Sequence, residues 1–438
     1  MAAMSISRNE AARAWGRVAL LSFGGPAGQI AVMHRIIVEE KRWVSDARFL
    51  HALNYCMLLP GPEAMQLAAY LGWLLHGVRG GLTAGLLFIL PGVVSIMALS
   101  VIYASYGSVG IVAAVFFGLK AGVIAIVLDA FLRLSRRALA ATRLKLVAGA
   151  AFIAIFFFAA PFPLIVLAAG VVGLALSPSA AKLDLAPADQ LSRPPPQWRR
   201  TMLTAALWLA IWLAPVVAVI AVAGRGSVYA QIGLFFAQTA LVTFGGAYSV
   251  LAYVAQHAVE AKHWLSATEM LDGLGLAETT PGPLIMVLQF VGFLAGARAP
   301  GALPPLAAGA LGGLMATWVT FAPCFLWVFA GAPHIETLRG VRRLDGALSA
   351  VTAAVVGIVL NLSVWFAVHA AFARVTPVRG YGLHFDAPMP ASLDPVFAGL
   401  ALAAVVALFG LRLSMPVTLA AAAAAGVLLH LAGIATAV

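Results

Sequence analysis

Four apolar segments of the chain are interrupted by glycine and proline. These residue types are typical of turns that bind anions. The four breaks are Phe23-Gly24-Gly25-Pro26, Pro60-Gly61-Pro62, Phe244-Gly245-Gly246 and Pro281-Gly282-Pro283. Proline suits the start of a helix, where the first backbone N–H groups lack partners and carry partial positive charge. Glycine lets the backbone approach a ligand closely. We predict that Pro62 and Pro283 each begin a half-helix and that the breaks, with Gln29 and Glu63, form the anion-binding site. Simple loop punctuation is the structural alternative.

Four charged residues lie in or beside apolar segments, where an unpaired charge is costly, and are therefore candidates for ion coupling. They are Glu63, Glu278, Lys120 and Asp129. Glu63 has an alternative role as a helix-start residue that suits the helix dipole. Lys120 and Asp129 stand nine residues apart on one helix, which places them on opposite sides. We therefore expect Asp129 beside Arg133, and not paired with Lys120.

The sequence offers little for enzyme chemistry. It contains no ATP-binding G-x-x-x-x-G-K-[ST] signature, no H-E-x-x-H motif and no paired-cysteine metal motif. Cys56 and Cys324 stand far apart in apolar surroundings and suggest no disulfide framework. We predict no metal and no cofactor. A membrane-embedded enzyme is the least favoured class of function.

The composition is that of a membrane protein. The chain has 438 residues, of which 63% are hydrophobic and 10% charged, and its mean hydropathy is +0.99. These values and the long continuous apolar runs predict an all-α polytopic membrane protein. The formal charge of +11 would suggest nucleic acid for a soluble protein. Here the basic residues lie in short loops between apolar segments, so topology explains them and nucleic acid is not an expected partner.

The order of broken and continuous segments occurs twice. A shift of 221 residues takes Phe23-Gly24-Gly25 to Phe244-Gly245-Gly246 and Pro60-Gly61-Pro62 to Pro281-Gly282-Pro283. A shift of 232 then takes Pro91 to Pro323. We predict an N-terminal repeat over residues 1–176, a cytoplasmic linker over 177–201, and a C-terminal repeat over 202–438. Small-residue pairs at Gly81/Gly85, Gly118/Gly122 and Gly292/Gly296 predict close helix packing.

Basic residues predict that the two repeats have inverted topology. Residues 34–48 contain four Lys or Arg, whereas their mates at 255–269 contain only Lys262. Residues 133–145 contain five, whereas 365–377 contain only Arg374. Opposite bias at equivalent ends fits inverted copies under the positive-inside rule. The N-terminus is then cytoplasmic in the inner or plasma membrane. The broken segments are predicted as re-entrant half-helix pairs, with a single kinked crossing as the alternative.

The motifs together resemble the chromate ion transporter family in its long, two-domain form. The resemblance rests on Ser22-Phe23-Gly24-Gly25-Pro26 with Gln29, Lys41-Arg42-Trp43, Leu59-Pro60-Gly61-Pro62-Glu63-Ala64 with Gln66-Leu67, Thr243-Phe244-Gly245-Gly246-Ala247-Tyr248 and Thr280-Pro281-Gly282-Pro283. It covers about residues 12 to 435. The second half departs from the first at Ala247, opposite Pro26, and at Leu284, opposite Glu63, which suggests unequal roles for the halves.

The resemblance implies a secondary transporter that exports chromate from the cytoplasm and confers chromate resistance, coupled to protons or to the membrane potential. Sulfate is a tetrahedral dianion like chromate, so it stays open as a substrate. A channel or a membrane subunit that needs a separate ATPase is the runner-up. The expected partners are the oxyanion and the lipid bilayer, and a homodimer is left open.

Overall fold

The computed structural model describes residues 6–23, 25–57, 59–107, 109–176, 198–243, 247–332, 334 and 342–434. These residues are largely α-helical. The helices are α1 (Arg8–Leu21), α2 (Gly25–His34), α3 (Asp46–Cys56), α4 (Glu63–Tyr106), α5 (Gly110–Ala138), α6 (Thr142–Phe158), α7 (Phe162–Leu176), α8 (Trp198–Ala223), α9 (Val228–Val242), α10 (Ala247–Ala255), α11 (Ala267–Thr279), α12 (Val287–Arg298), α13 (Pro305–Gly331), α14 (Arg342–Ala371), α15 (Pro395–Val405) and α16 (Met415–Leu431).

Five of these helices are long and apolar enough to cross a membrane. They lie at Glu63–Tyr106, Gly110–Ala138, Trp198–Ala223, Pro305–Gly331 and Gly346–Ala371. The predicted all-α polytopic fold is therefore confirmed. Helix α8 begins at Trp198, so the last residues of the predicted linker are helical, while residues 177–197 lie outside the described part of the chain. The boundaries of the two repeats stay a prediction.

The helices beside the breaks are too short to span a bilayer alone. Helices α1, α2 and α3 have 14, 10 and 11 residues, and α9, α10 and α11 have 15, 9 and 13. A spanning helix needs about 20 residues. Helix α4 also loses helical geometry at His76 and Gly77, so its first part is a further short segment. These lengths agree with half-helices, and their orientation in the membrane stays a prediction.

The backbone repeats its irregular features at the same 221-residue shift. A π-helical turn follows α2 at Arg35–Glu40 and follows α10 at Gln256–Ala261. Arg42 and His263, also 221 residues apart, have positive φ of 54° and 52°. Such conformations are uncommon in residues other than glycine. Their recurrence at matched positions shows that the two sequence copies share local structure as well as motifs.

The first compact unit comprises the described residues within 1–98, 178–247 and 280–342. Helices α12 and α13 pack along small residues: a Cβ added at Gly292 would lie 2.6 Å from the carbonyl oxygen of Gly312. A Cβ at Gly81 would lie 2.6 Å from the ring of Phe329, on α13. Two of the three predicted small-residue pairs thus lie at close helix contacts, where larger side chains would force the backbones apart.

The second compact unit comprises the described residues within 99–177, 248–279 and 343–438. The third small-residue pair packs here, since a Cβ at Gly118 would clash with the carbonyl oxygen of Ala422 on α16. The unit also contains an antiparallel hairpin, β1 (Val375–Gly380) paired with β2 (Leu383–Pro388). Its turn, Tyr381 and Gly382, has positive φ at both positions, as tight hairpin turns require. This hairpin is an addition to the predicted helical fold.

Candidate anion-binding site

The two Pro-Gly-Pro breaks have matching backbone geometry. Gly61 has a φ of 118° and Gly282 a φ of 116°, values that L side chains rarely adopt. Helix α4 begins at Glu63, directly after Pro62, as predicted. The second break differs in detail: Pro283 caps a 3₁₀ turn at Leu284–Met286, and α12 begins only at Val287. Both prolines therefore stand at helix starts, and the second start is tighter.

Each Pro-Gly-Pro break is joined by one backbone hydrogen bond to the end of a helix in the other sequence half, and the two bonds are equivalent. The N–H of Gly61 donates to the carbonyl oxygen of Thr243 at 2.9 Å. The N–H of Gly282 donates to the carbonyl oxygen of Ser22, also at 2.9 Å. The two bonds are equivalent under the 221-residue shift, because Gly61 corresponds to Gly282 and Ser22 corresponds to Thr243. All four residues belong to the first unit. The breaks predicted from sequence thus meet in reciprocal pairs.

The hydroxyls of Ser22 and Thr243 stabilise the helix ends that accept these bonds. Ser22 Oγ donates to the carbonyl oxygen of Val18 at 2.6 Å, and Thr243 Oγ1 donates to that of Thr239 at 2.6 Å. Both side chains are buried. A buried hydroxyl is costly unless it is hydrogen-bonded. These bonds end α1 and α9 in the same way and present the carbonyl oxygens to the breaks.

Two buried glutamines from the first repeat also bond to the breaks. Gln29 Nε2 donates to the carbonyl oxygen of Gly282 at 2.7 Å, and Gln66 Nε2 donates to that of Pro60 at 2.8 Å. Within the described residues, Oε1 of Gln66 is buried and has no hydrogen-bond partner. The repeat mates of Gln29 and Gln66 are Val250 and Val287, which cannot make these bonds. The polar lining is therefore asymmetric.

Gly25 is the most open of the described break glycines. Its φ is 77°, and no heavy atom of the described structure lies within 4 Å of a Cβ built there, beyond its own chain neighbours. Helix α2 begins at this residue, so its first N–H groups lack partners within the helix. Phe23 is exposed and Pro26 half-buried. Gly24, Phe244, Gly245 and Gly246 lie outside the described residues.

These contacts refine which groups can bind an anion. The N–H groups of Gly61 and Gly282 are occupied by carbonyl oxygens, so in this conformation they hold the breaks together. The candidate donors are the first-turn N–H groups of α2 and α4, which begin at Gly25 and Glu63. Pro60 and its repeat mate Pro281 are both half-buried.

The structure also places the candidate coupling residues. Glu63 lies half-buried in the first turn of α4, within the first unit. In the second unit, Asp129 pairs with Arg133 one turn along α5, as expected. Glu278 is buried on α11 and accepts a hydrogen bond from the hydroxyl of Tyr248. Lys120 lies 3.9 Å from Asp272, a buried residue that the sequence argument missed.

Comparison with known proteins identifies the family. The model of the family described as "Chromate transporter" matches residues 10–174 and 230–427. The chain belongs to the chromate transporter family. A chromate transport protein of Pseudomonas aeruginosa is 33% identical over 354 residues, covering 78% of this chain and 76% of the relative. One from Cupriavidus metallidurans is 28% identical over 352 residues, covering 78% of each chain. An uncharacterized transporter of Methanocaldococcus jannaschii is 23% identical over 354 residues, covering 80% and 82%.

The chromate transporter family accounts for the composition and the apolar helices together. The chain is a multi-pass membrane protein whose relatives are named as transporters. No solved structure matches it significantly. Within the described residues, no group of three or more His, Cys, Asp or Glu side chains is placed to hold a metal ion.

Proposed function

We propose that this protein is a secondary transporter that exports chromate across the cell membrane and so confers chromate resistance. The observation that supports the proposal most is the reciprocal pairing of the breaks at Gly61–Thr243 and Gly282–Ser22. This pairing brings helix starts and the buried glutamine amides together in an otherwise apolar protein, which supports a binding site there. The names of the relatives from Pseudomonas aeruginosa and Cupriavidus metallidurans supply the substrate.

Backbone donors suit the transport of a divalent oxyanion. A dianion that leaves water must regain several hydrogen bonds at once, since an unpaired buried charge is far too costly. Helix starts supply N–H groups and a partial positive charge without a fixed full charge. Such a site would offset the loss of hydration when the anion binds and would still allow the anion to be released. Sulfate has the same tetrahedral shape and charge, which makes it the second candidate substrate.

The decisive experiment is chromate flux in proteoliposomes that contain only this chain. We expect chromate to move against its own gradient when a pH gradient or a membrane potential is imposed. Flux that only runs down the chromate gradient would indicate a channel, and no flux would indicate a subunit that needs a partner. Excess unlabelled sulfate in the same assay decides between the two anions, because equal competition by sulfate contradicts chromate selectivity.

The site itself is tested at Gly25. Valine there adds a branched side chain where the described structure leaves open space, and it resists the positive φ of 77°. We expect Gly25→Val to weaken chromate binding strongly. Gly149→Val is the matched control, because Gly149 lies on α6 and also has no heavy atom within 4 Å. Wild-type affinity for chromate in a folded, monodisperse Gly25→Val protein would show that the first break has only a structural role as a loop.

A further inference from the structure

The second unit buries a carboxylate that the proposed anion site does not use. Asp272 lies on α11 with its side chain 5% exposed. Its Oδ2 accepts a hydrogen bond of 2.9 Å from the hydroxyl of Tyr103. Within the described residues, its Oδ1 has no hydrogen-bond partner. A buried carboxylate oxygen without a donor is rare in proteins and calls for an explanation.

The nearest cation is held at a distance from Asp272. Lys120 Nζ lies 3.9 Å from Asp272 Oδ1, whereas a hydrogen-bonded ammonium–carboxylate pair has about 2.8 Å between the heavy atoms. The lysine side chain is itself largely buried, at 17% exposed. The Asp129–Arg133 pair of the same unit differs, since its oxygen and nitrogen are in direct hydrogen-bond contact and Arg133 is half-exposed. Lys120 and Asp272 thus form a loose buried pair.

Other titratable groups near Asp272 are few among the described residues. Glu269 lies one turn earlier on α11, where it caps the helix by accepting from the N–H of Ser266. Glu278 lies six residues later and bonds to Tyr248. On α16, which packs against α5, the histidine His430 lies beside Gly110, ten residues before Lys120. The partners that face the carboxylate are therefore Tyr103 and Lys120.

We propose that Asp272, with Tyr103 and Lys120, is a proton-binding site that couples proton movement to transport. The inference rests on the proposed transport function. Protonatable groups buried in membrane proteins commonly mark proton pathways. The carboxylate takes H⁺ from water on one side and returns it to water on the other, with no change of oxidation state. Its ionised form is balanced by Lys120, and its protonated form removes the need for a donor at Oδ1.

The sequence repeat does not reproduce this pair of charged residues. The repeat mate of Asp272 is His51, and the mate of Lys120 at the 232-residue shift is Thr352. Helix α11 ends at Thr279, directly before Thr280 and the Pro281-Gly282-Pro283 break. Asp272 therefore lies on the helix that directly precedes this break in the sequence.

A titration that is independent of substrate tests the proton site. Infrared spectra of the full chain in lipid nanodiscs, recorded across pH, should show a protonated carboxyl band that Asp272→Asn removes and Asp272→Glu shifts. Tyr103→Phe removes a donor to the ionised form, so the pH at which the band is half lost should rise. Glu269→Gln is the control on the same helix and should leave the band present. A band unaffected by Asp272→Asn overturns the proposal.

Transport then tests the coupling. Chromate flux is measured in proteoliposomes with the membrane potential clamped and a pH gradient imposed in each orientation. One coupled proton and a gradient of about one pH unit support about tenfold accumulation. We expect Asp272→Asn to lose this accumulation yet keep chromate counterflow, in which no net proton moves. Accumulation retained by Asp272→Asn refutes the coupling role. Absence of counterflow in the wild-type chain refutes the proposed transport function, and the titration still decides whether Asp272 binds a proton.

Discussion

Alanine at Gly282 tests whether the reciprocal pairing of the breaks holds this protein together. The added Cβ would lie 2.9 Å from the Cα of Gly92 and 3.1 Å from its nitrogen. Both are backbone atoms, which cannot turn aside as the end of a side chain can. The φ of 116° also suits glycine alone. We estimate a cost of about 1–3 kcal/mol from backbone strain and of about 1–3 kcal/mol from overpacking.

The equivalent glycines provide a graded series. At Gly61 the obstacle is Gln66 Nε2, 2.9 Å from the added Cβ, which can move if it gives up its bond to Pro60. Gly61→Ala should therefore cost the strain plus about 1 kcal/mol for that hydrogen bond. Gly25 has open space, so Gly25→Ala should cost only about 1–2 kcal/mol of left-handed strain. Gly149→Ala, in the open helix α6, should stabilise by about 0.5–1 kcal/mol.

The assay is equilibrium unfolding of each variant in mixed detergent micelles, followed by far-UV circular dichroism and by chromate binding. We expect the order of destabilisation to be Gly282→Ala, then Gly61→Ala, then Gly25→Ala, with Gly149→Ala at or above wild type. A Gly282→Ala protein as stable as wild type would refute the reasoning, because the Gly282–Ser22 bond could not then depend on glycine. A larger cost at Gly25 than at Gly282 would refute it as well.

Three further predictions concern coupling, topology and pH. Glu63→Gln should abolish the dependence of chromate flux on a pH gradient if Glu63, and not Asp272, carries the coupled proton, and unchanged dependence would leave Glu63 as a helix-start residue. Single cysteines in a chain lacking Cys56 and Cys324 should react with an impermeant reagent from the cytoplasm at positions 136 and 342 and from outside at 107 and 374; labelling of 107 and 136 from one side would contradict inversion. Hydrogen bonds from His34 to Asp46 and Glu39 outweigh burial and raise the pKa of His34 above 6.5. The stabilisation that protonated His34 gives the folded protein should be complete below pH 6.5 and lost as pH rises through the raised pKa of His34. The Tm of the wild-type protein should therefore fall over that pH range, while the Tm of His34→Gln should not.

The topology prediction agrees with the length of α5. This helix has 29 residues and is roughly 43 Å long at 1.5 Å per residue. It begins at Gly110, close to position 107, and carries Arg136 in its last turn. Its length exceeds the roughly 30 Å of the hydrocarbon core. The two positions therefore lie at opposite ends of a helix that is long enough to separate them by a bilayer.

Sequence reasoning located the breaks and helix ends because their signals are local. Proline removes an N–H and fixes φ, so Pro62 and Pro283 mark helix starts wherever the chain folds. Small residues spaced four apart likewise predict a close contact between helices, and Gly292 lies at such a contact with Gly312. The 221-residue shift repeated the break motifs in the second half, which supported their interpretation. These features need no knowledge of which segments meet.

The partners of the breaks could not be predicted, because they depend on segments far apart in the chain. Nothing in the type of Ser22 or Thr243 indicates that its carbonyl oxygen accepts from a glycine in the other half. Asp272 was missed for a related reason: its partner Lys120 stands 152 positions away in sequence. The hairpin was not predicted because its two six-residue strands are short and of mixed composition, with only Tyr381-Gly382 to mark the turn.

The duplication separates the framework of the site from its chemistry. Residues that bond the breaks together recur in both halves, with Ser22 matched by Thr243 and Gly61 matched by Gly282. Residues that could distinguish a ligand or carry a proton do not recur: the repeat mates of Gln29, Gln66, Glu63 and Asp272 are Val250, Val287, Leu284 and His51. A transporter that alternates between two conformations of similar free energy gains from a near-symmetric framework. A substrate needs only one set of contacts, so those positions were free to diverge, and specificity should respond to substitutions at the unmatched residues while stability responds to the matched ones.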